Sequence, residues 1–131
     1  SRPRLITNLR KKVSSGTSGG VSFLGELTLI SGSLLIGLLA ILLNFSDISI
    51  VELILISVSG GIVGSHVDSI LGATIQSMNK CVVCGFVTES NIHHNKYTES
   101  FKGLKLIDNN IVNFLSTLSG AFVAIIVWFT F

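Results

Sequence analysis

The sequence predicts an all-α fold, a polytopic helical membrane protein with about three transmembrane helices in its 131 residues. Three observations carry this. Charged residues make up 12% of the chain, about half the roughly 25% of an ordinary soluble domain. Mean hydropathy is +0.73. The apolar residues are gathered into three windows long enough for a bilayer. The same composition excludes a disordered tail, which needs low hydrophobicity and high charge. It also argues against nucleic acid as a partner, because the net charge is only +2 and the basic residues sit beside apolar runs. The length suits a single membrane domain over 1–131. The chain opens on Ser with a basic stretch that starts abruptly, so a fragment of a longer domain is expected.

Residues 1–23 form a basic, Gly-rich segment holding Arg2, Arg4, Arg10, Lys11 and Lys12. Residues 24–45 are apolar with one acid, Glu26, near the start. At ~1.5 Å per residue this window crosses a hydrocarbon core of ~30 Å. Residues 48–75 form a second span that contains Glu52, His66 and Asp68. Gly60, Gly61, Gly64 and Gly72 interrupt it, and a kink or break is expected near Gly60-Gly61. Residues 77–108 are a polar Cys/His loop, and 110–131 are a third, uncharged span. A signal peptide is a poor fit, since the first apolar run is too long and lacks a small-residue cleavage site.

Three spans put the basic tail and the 77–108 loop on one side. Those two segments carry all nine cations, and the 45–49 connection carries none. The positive-inside rule therefore places residues 1–22 and 77–108 in the cytoplasm and 45–49 outside, in a multi-pass protein of the cell membrane. Glu26, His66, Asp68, Gln76, Asp108, Asn109, Asn110 and Asn113 then collect near the cytoplasmic ends of the helices. Ionisable groups at membrane depth are costly and face a partner, a cavity or an ion. Ser57, Gly61, Ser65, Asp68 and Gly72 fall on one helical stripe, as do Asn113, Ser116, Gly120 and Ala124. Gly60-x-x-x-Gly64 adds a close-packing pattern. Packing alone explains the Gly and Ser positions, whereas Asp68 and Asp108 exceed what packing requires. Asp108 also has a plain structural use as a helix cap.

The run from Lys11 to Ser22 is not a Walker A loop, because no Gly-Lys-Ser/Thr follows its glycines. Its amides, hydroxyls and lysines still suit phosphate at a helix N-terminus, unless it is simply a linker. Phosphate-binding groups that face carboxylates make a phosphate–Mg²⁺ arrangement. Cys81-Val82-Val83-Cys84-Gly85 is a C-x-x-C-G knuckle, followed by His93-His94. Cys81, Cys84 and one of the two histidines can hold a structural Zn²⁺. Free or redox-active thiols and inert cysteines are the alternatives. A stable disulfide is not expected in a cytoplasmic loop.

Pro3-Arg4-Leu5-Ile6-Thr7 with Gly16-Thr17-Ser18-Gly19-Gly20-Val21-Ser22 resembles a "PRLIT…GTxGGVS" signature. Gly64 to Gln76 resembles "GSxxDSxLGAxxQ", and Asp108 to Asn113 resembles "DNxxVN". In this order they resemble the C-terminal half of the transmembrane protein 19 family, also called domain-of-unknown-function family 92. The family's upstream helices and acidic "DTxASE"-like motif have no counterpart here, so the remaining N-terminal half is an expected partner. The Cys-x-x-Cys loop is similar to that of archaeal members. The resemblance implies a membrane kinase, since the family includes the phytyl-phosphate kinase of tocopherol synthesis and is distantly similar to CTP-dependent dolichol and phytol kinases.

The expected function is thus a prenyl alcohol or prenyl phosphate kinase that uses a nucleotide triphosphate and Mg²⁺. Asp68 and Asp108 would hold the metal. Asn109, Asn110 and Asn113 would orient a phosphate or the metal's waters. Lys11, Lys12, Gly16, Thr17, Gly19 and Gly20 would hold the nucleotide phosphates. A membrane lipid or isoprenoid is the expected substrate. The alternatives are a small-ion or lipid transporter, whose polar stripe would continue to the outer surface, and an assembly factor with a zinc-binding loop.

Overall fold

The computed structural model describes residues 2–43 and 48–131. The element order is β1 (Arg4–Leu5), β2 (Asn8–Lys12), β3 (Gly20–Val21), α1 (Phe23–Leu42), α2 (Ile50–Thr74), β4 (Met78–Lys80), β5 (Val87–Thr88), β6 (Ile92–His93), β7 (Lys96–Tyr97), β8 (Glu99–Lys102) and α3 (Asn109–Trp128). All three helices are long and apolar enough to cross a membrane. The expected helical membrane protein is therefore present, but it is not purely all-α. The two polar segments outside the helices satisfy their backbone groups in short antiparallel ladders. The tail forms a sheet in the order β2-β1-β3, and the later segment forms β5-β4-β8 plus a β6-β7 hairpin.

Each helix begins where a side chain accepts from an otherwise unpaired backbone N–H. Ser22 Oγ accepts from Gly25 N at 3.1 Å. Ser49 and Glu52 form a reciprocal capping box. Asp108 Oδ1 accepts from Ile111 N at 2.9 Å. α1 ends at Leu42, α3 ends at Trp128, and α2 runs as one helix through Gly60-Gly61 where a break was expected. Most of the 45–49 connection, with Asp47 and the end of the first expected span, lies outside the described residues. Phe23, Leu35, Ile36, Phe114 and Phe122 are exposed on the helix surfaces, as lipid-facing side chains would be.

Small residues hold the helices together. A Cβ at Gly120 would stand 2.7 Å from Gly60 O, and one at Gly64 would stand 3.2 Å from Ser116 O. These positions bring α2 and α3 into backbone contact. On the neighbouring face of α2, Gly61 lies against Ser33 of α1, and a Cβ at Gly37 would stand 2.7 Å from Ser57 Oγ. The stripe expected along α2 is therefore shared between two partners, since Ser57 and Gly61 meet α1 while Asp68 meets Ser116 of α3. The separate Gly60-x-x-x-Gly64 pattern meets α3. In lipid such close van der Waals packing replaces the hydrophobic drive that holds soluble helices together.

Gly120→Ala should therefore lower the stability of the detergent-solubilised protein by about 1–3 kcal/mol, the usual cost of overpacking. Gly32→Ala, where nothing lies within 4 Å, should be neutral or slightly stabilising. Thermal unfolding of the two variants checks this, and equal midpoints would remove the close-packing account.

Candidate functional site at the polar end of the helix bundle

The strands of the tail and of the 77–108 segment meet at one end of the helices, around Gln76. The helical hydrogen bonding of α2 finishes there, with Ile75 N and Gln76 N both donating to Leu71 O at 3.0 Å. The Gln76 side chain turns inward and is 2% exposed. Ser18 Oγ donates to its Oε1 at 2.5 Å. Its Nε2 donates to Glu89 Oε1 at 2.9 Å and lies 3.4 Å from Asn109 Oδ1. One primary amide thus joins the Gly-rich tail, the Cys/His loop and the start of α3. Glycines clear the space for it. A Cβ at Gly72 would stand 2.6 Å from Ser18 Oγ, and one at Gly19, whose φ is +80°, would stand 2.6 Å from Ala73 Cα.

Two cavities flank this junction, and a third lies deeper between the helices. A cleft of about 500 Å³ is lined by Lys11, the 14–18 turn, Phe86, Phe101 and Lys102. A polar pocket of about 380 Å³ is lined by Asn79, Glu89, Lys105, Asp108, Asn109 and Asn110. A groove of about 700 Å³ runs between the helices, with Asp68 and Ser116 among its lining residues.

The expected phosphate ligands are divided by the strand geometry. Lys11 and Lys12 are successive residues of β2, so their side chains take opposite faces. Lys11 lines the cleft, whereas Lys12 lines a separate cavity with Arg2, Arg4 and Glu26. Gly16 and Thr17 line the cleft, and a Cβ on Gly16 would meet nothing within 4 Å. Gly19 is committed to packing on α2, and Gly20 to the turn, where a Cβ would stand 2.9 Å from Thr17 O. Lys102 Nζ donates to Gly72 O at 2.9 Å and Ala73 O at 3.2 Å. It thereby occupies the negative end of α2, and burial pushes its ammonium pKa down.

The acids do not converge. Asp68 Oδ1 accepts from Ser116 Oγ at 3.4 Å. Asp108 caps α3 eight residues earlier, about 12 Å along the helix axis. Glu26 Oε2 lies 3.8 Å from His66 Nε2, which links α1 to α2. Asp108, Asn109 and Asn110 share the polar pocket. Asn113 is exposed and offers its carbonyl to Ser116 Oγ at 2.9 Å.

Cys81, Cys84 and His93 do converge, with one ligand atom from each lying within 4.8 Å of the others. Cys84 Sγ and His93 Nδ1 are 3.6 Å apart. The Cys81 thiol is lowered to about 6, chiefly by hydrogen bonding to the Cys84 backbone and further by Val83 N–H and His93, against desolvation that raises it. His94 does not join them. It lies between β6 and β7 with φ 53°, and Asn95 follows with φ 55°, so the two form the left-handed turn of a tight hairpin.

Sequence reasoning placed Gln76 in the polar cluster and Ser18 in the Gly-rich run without a junction role for either, and gave no role to Glu89 or Lys102. Gln76 closes the "LGAxxQ" run and Ser18 lies inside the Gly-rich run, so both carried a sequence signal. Glu89 and Lys102 carried none, because only the fold brings them to α2. Gln76→Ala should cost about 0.5–1.5 kcal/mol, the net worth of a hydrogen bond, because Ser18 and Asn109 are half-buried and Glu89 is exposed. Limited proteolysis should then cut both the 14–18 turn and the 85–91 loop faster, and unchanged cleavage in both segments would contradict the junction.

Among families of known sequence, the integral membrane protein family DUF92 matches residues 1–121. Protein PGR of Arabidopsis thaliana is 35% identical over 130 residues, covering 93% of this chain and 44% of its own length. An uncharacterized membrane protein of Methanocaldococcus jannaschii, MJ0933, is 31% identical over 129 residues, covering 98% of this chain and 41% of its own length. The chain thus spans less than half the length of these two relatives. No solved structure matches it significantly. The family match over nearly the whole chain, together with the three apolar helices, shows that this protein belongs to the integral membrane family DUF92.

Proposed function

We propose that the protein serves as a nucleotide-dependent kinase of a prenyl alcohol or prenyl phosphate, with its polar end in the cytoplasm. The observation that supports this reading is the cleft beside the end of α2, where Lys11, the Ser14–Ser18 turn and Lys102 line one face and Phe86 and Phe101 another. Such a surface suits a nucleotide, with cations and hydroxyls for its phosphates and aromatic faces for its base. Two of the three Lys102 donors are engaged by the carbonyls of α2, which leaves one for a phosphate. Gly16 and Thr17 are the turn residues open to such a ligand. The interhelical groove suits an isoprenoid tail. Asp68 is the single ionisable residue among those that line it, and the other polar lining groups are the hydroxyls of Ser33, Ser57, Ser65, Ser116 and Thr117.

Phosphoryl transfer depends on positioning and on charge stabilisation, which lysines and turn amides supply. Magnesium, when bound, would offset the charge of the phosphates. Asp68 and Asp108 do not fit one such ion, because they line separate cavities about two helical turns apart. No step is assigned to that pair.

Full-length protein in inverted membrane vesicles should transfer label from CTP or ATP to geranylgeranyl phosphate, and sealed right-side-out vesicles should not. Lys11→Gln should weaken nucleotide binding about tenfold, the worth of one charge-assisted hydrogen bond. Lys12→Gln should change it by less than about twofold, as for a screened surface charge. Absence of labelled lipid with either nucleotide would refute the kinase reading. Equal effects of the two lysine variants would refute the cleft assignment.

A further inference from the structure

The Cys81–Cys84–His93 cluster has the dimensions of a metal centre. With a metal–sulfur bond of ~2.3 Å and a metal–nitrogen bond of ~2.05 Å, a tetrahedral zinc site has a sulfur–nitrogen edge of about 3.6 Å. The observed separation between Cys84 Sγ and His93 Nδ1 is 3.6 Å. The third donor, Cys81 Sγ, is within 4.8 Å of both. The surrounding groups already orient the donors. Val83 N donates to Cys81 Sγ at 3.4 Å, and Gly85 N donates to Cys81 O at 2.9 Å, which closes the knuckle. Phe86 stacks on the His93 ring at 5.7 Å. The second imidazole, His94, packs edge-on against the His93 ring with centroids 4.3 Å apart and is not one of the clustered ligands.

The cluster also spans a segment that matters for the junction. Cys81 follows β4, and His93 ends β6. Between them lie Phe86 and Val87, which wall the cleft, and Glu89, which accepts from Gln76. Backbone pairing in this stretch is sparse, because β5 and β6 have two residues each.

We propose that Cys81, Cys84 and His93 bind one Zn²⁺ as a three-ligand site, with water in the fourth position, and that this ion fixes the wall carrying Phe86, Val87 and Glu89. The site goes beyond the kinase reading and does not rest on it. Full-length protein, purified in detergent without chelator, should carry about one zinc per chain. Exchange to Co²⁺ should give a thiolate-to-cobalt charge-transfer band. Cys84→Ser, at an exposed position, and His93→Ala should each weaken cobalt binding by at least about tenfold, while His94→Ala should not change it. Chelation should speed proteolysis within residues 81–93 and leave the helices intact. The proposal fails if the protein neither retains zinc nor shows the charge-transfer band. It also fails if His94→Ala weakens binding as much as His93→Ala, or if removing bound metal leaves cleavage in 81–93 unchanged.

Discussion

The architecture of the polar end depends on one buried amide. Gln76 stands where α2 runs out of helical partners, and its side chain takes contacts from Ser18, Glu89 and Asn109. These partners are distant in sequence and belong to the Gly-rich tail, the Cys/His loop and the start of α3. A primary amide suits the task because it donates twice and accepts at one oxygen, whereas an apolar residue of that size would make none of these bonds. The positions of the cleft and the polar pocket follow from this junction. Gln76 separates them, with the lysine-lined cleft on the Ser18 side and the Asp108–Asn110 pocket on the Asn109 side.

The membrane part obeys a different constraint. Lipid offers the helices no hydrophobic reward for associating, so contact is gained by closeness. Gly60, Gly64 and Gly120 allow backbone to meet backbone. The same narrowness sets where a polar group can sit. Asp68 follows Gly64 by one turn and reaches the buried Ser116, which fixes it at the groove, while Asp108 remains at the helix entrance as a cap. The two acids are close in the charge pattern of the sequence but serve different levels of the structure.

Much of this was legible in the sequence. The three spans follow from charge depletion over lengths that match a bilayer, and the cap at Asp108 uses a residue type that accepts from a helix N-terminus. The meeting of the tail with the 77–108 segment follows from the two spans that separate them. The strands were not legible, because ladders of two to five residues leave too short an alternation to read. The separation of Lys11 from Lys12 followed from one such strand. The distance between Asp68 and Asp108 was not legible, because both lie toward one end of the bundle and only the Asp68–Ser116 contact shows the two helical turns of α3 between them. The convergence of Cys81, Cys84 and His93 was legible from spacing, but the choice of His93 over His94 needed the hairpin turn.

The central claim is that the Gln76 amide couples the later loop to the end of α2. The most direct test is a double-mutant cycle on Gln76→Ala and Glu89→Ala, measured by reversible unfolding of the full-length protein in detergent. Direct contact predicts a coupling energy of about 0.5–3 kcal/mol. Additivity within about 0.3–0.5 kcal/mol would mean that the two residues are merely neighbours, and the junction could not be what organises this end of the protein.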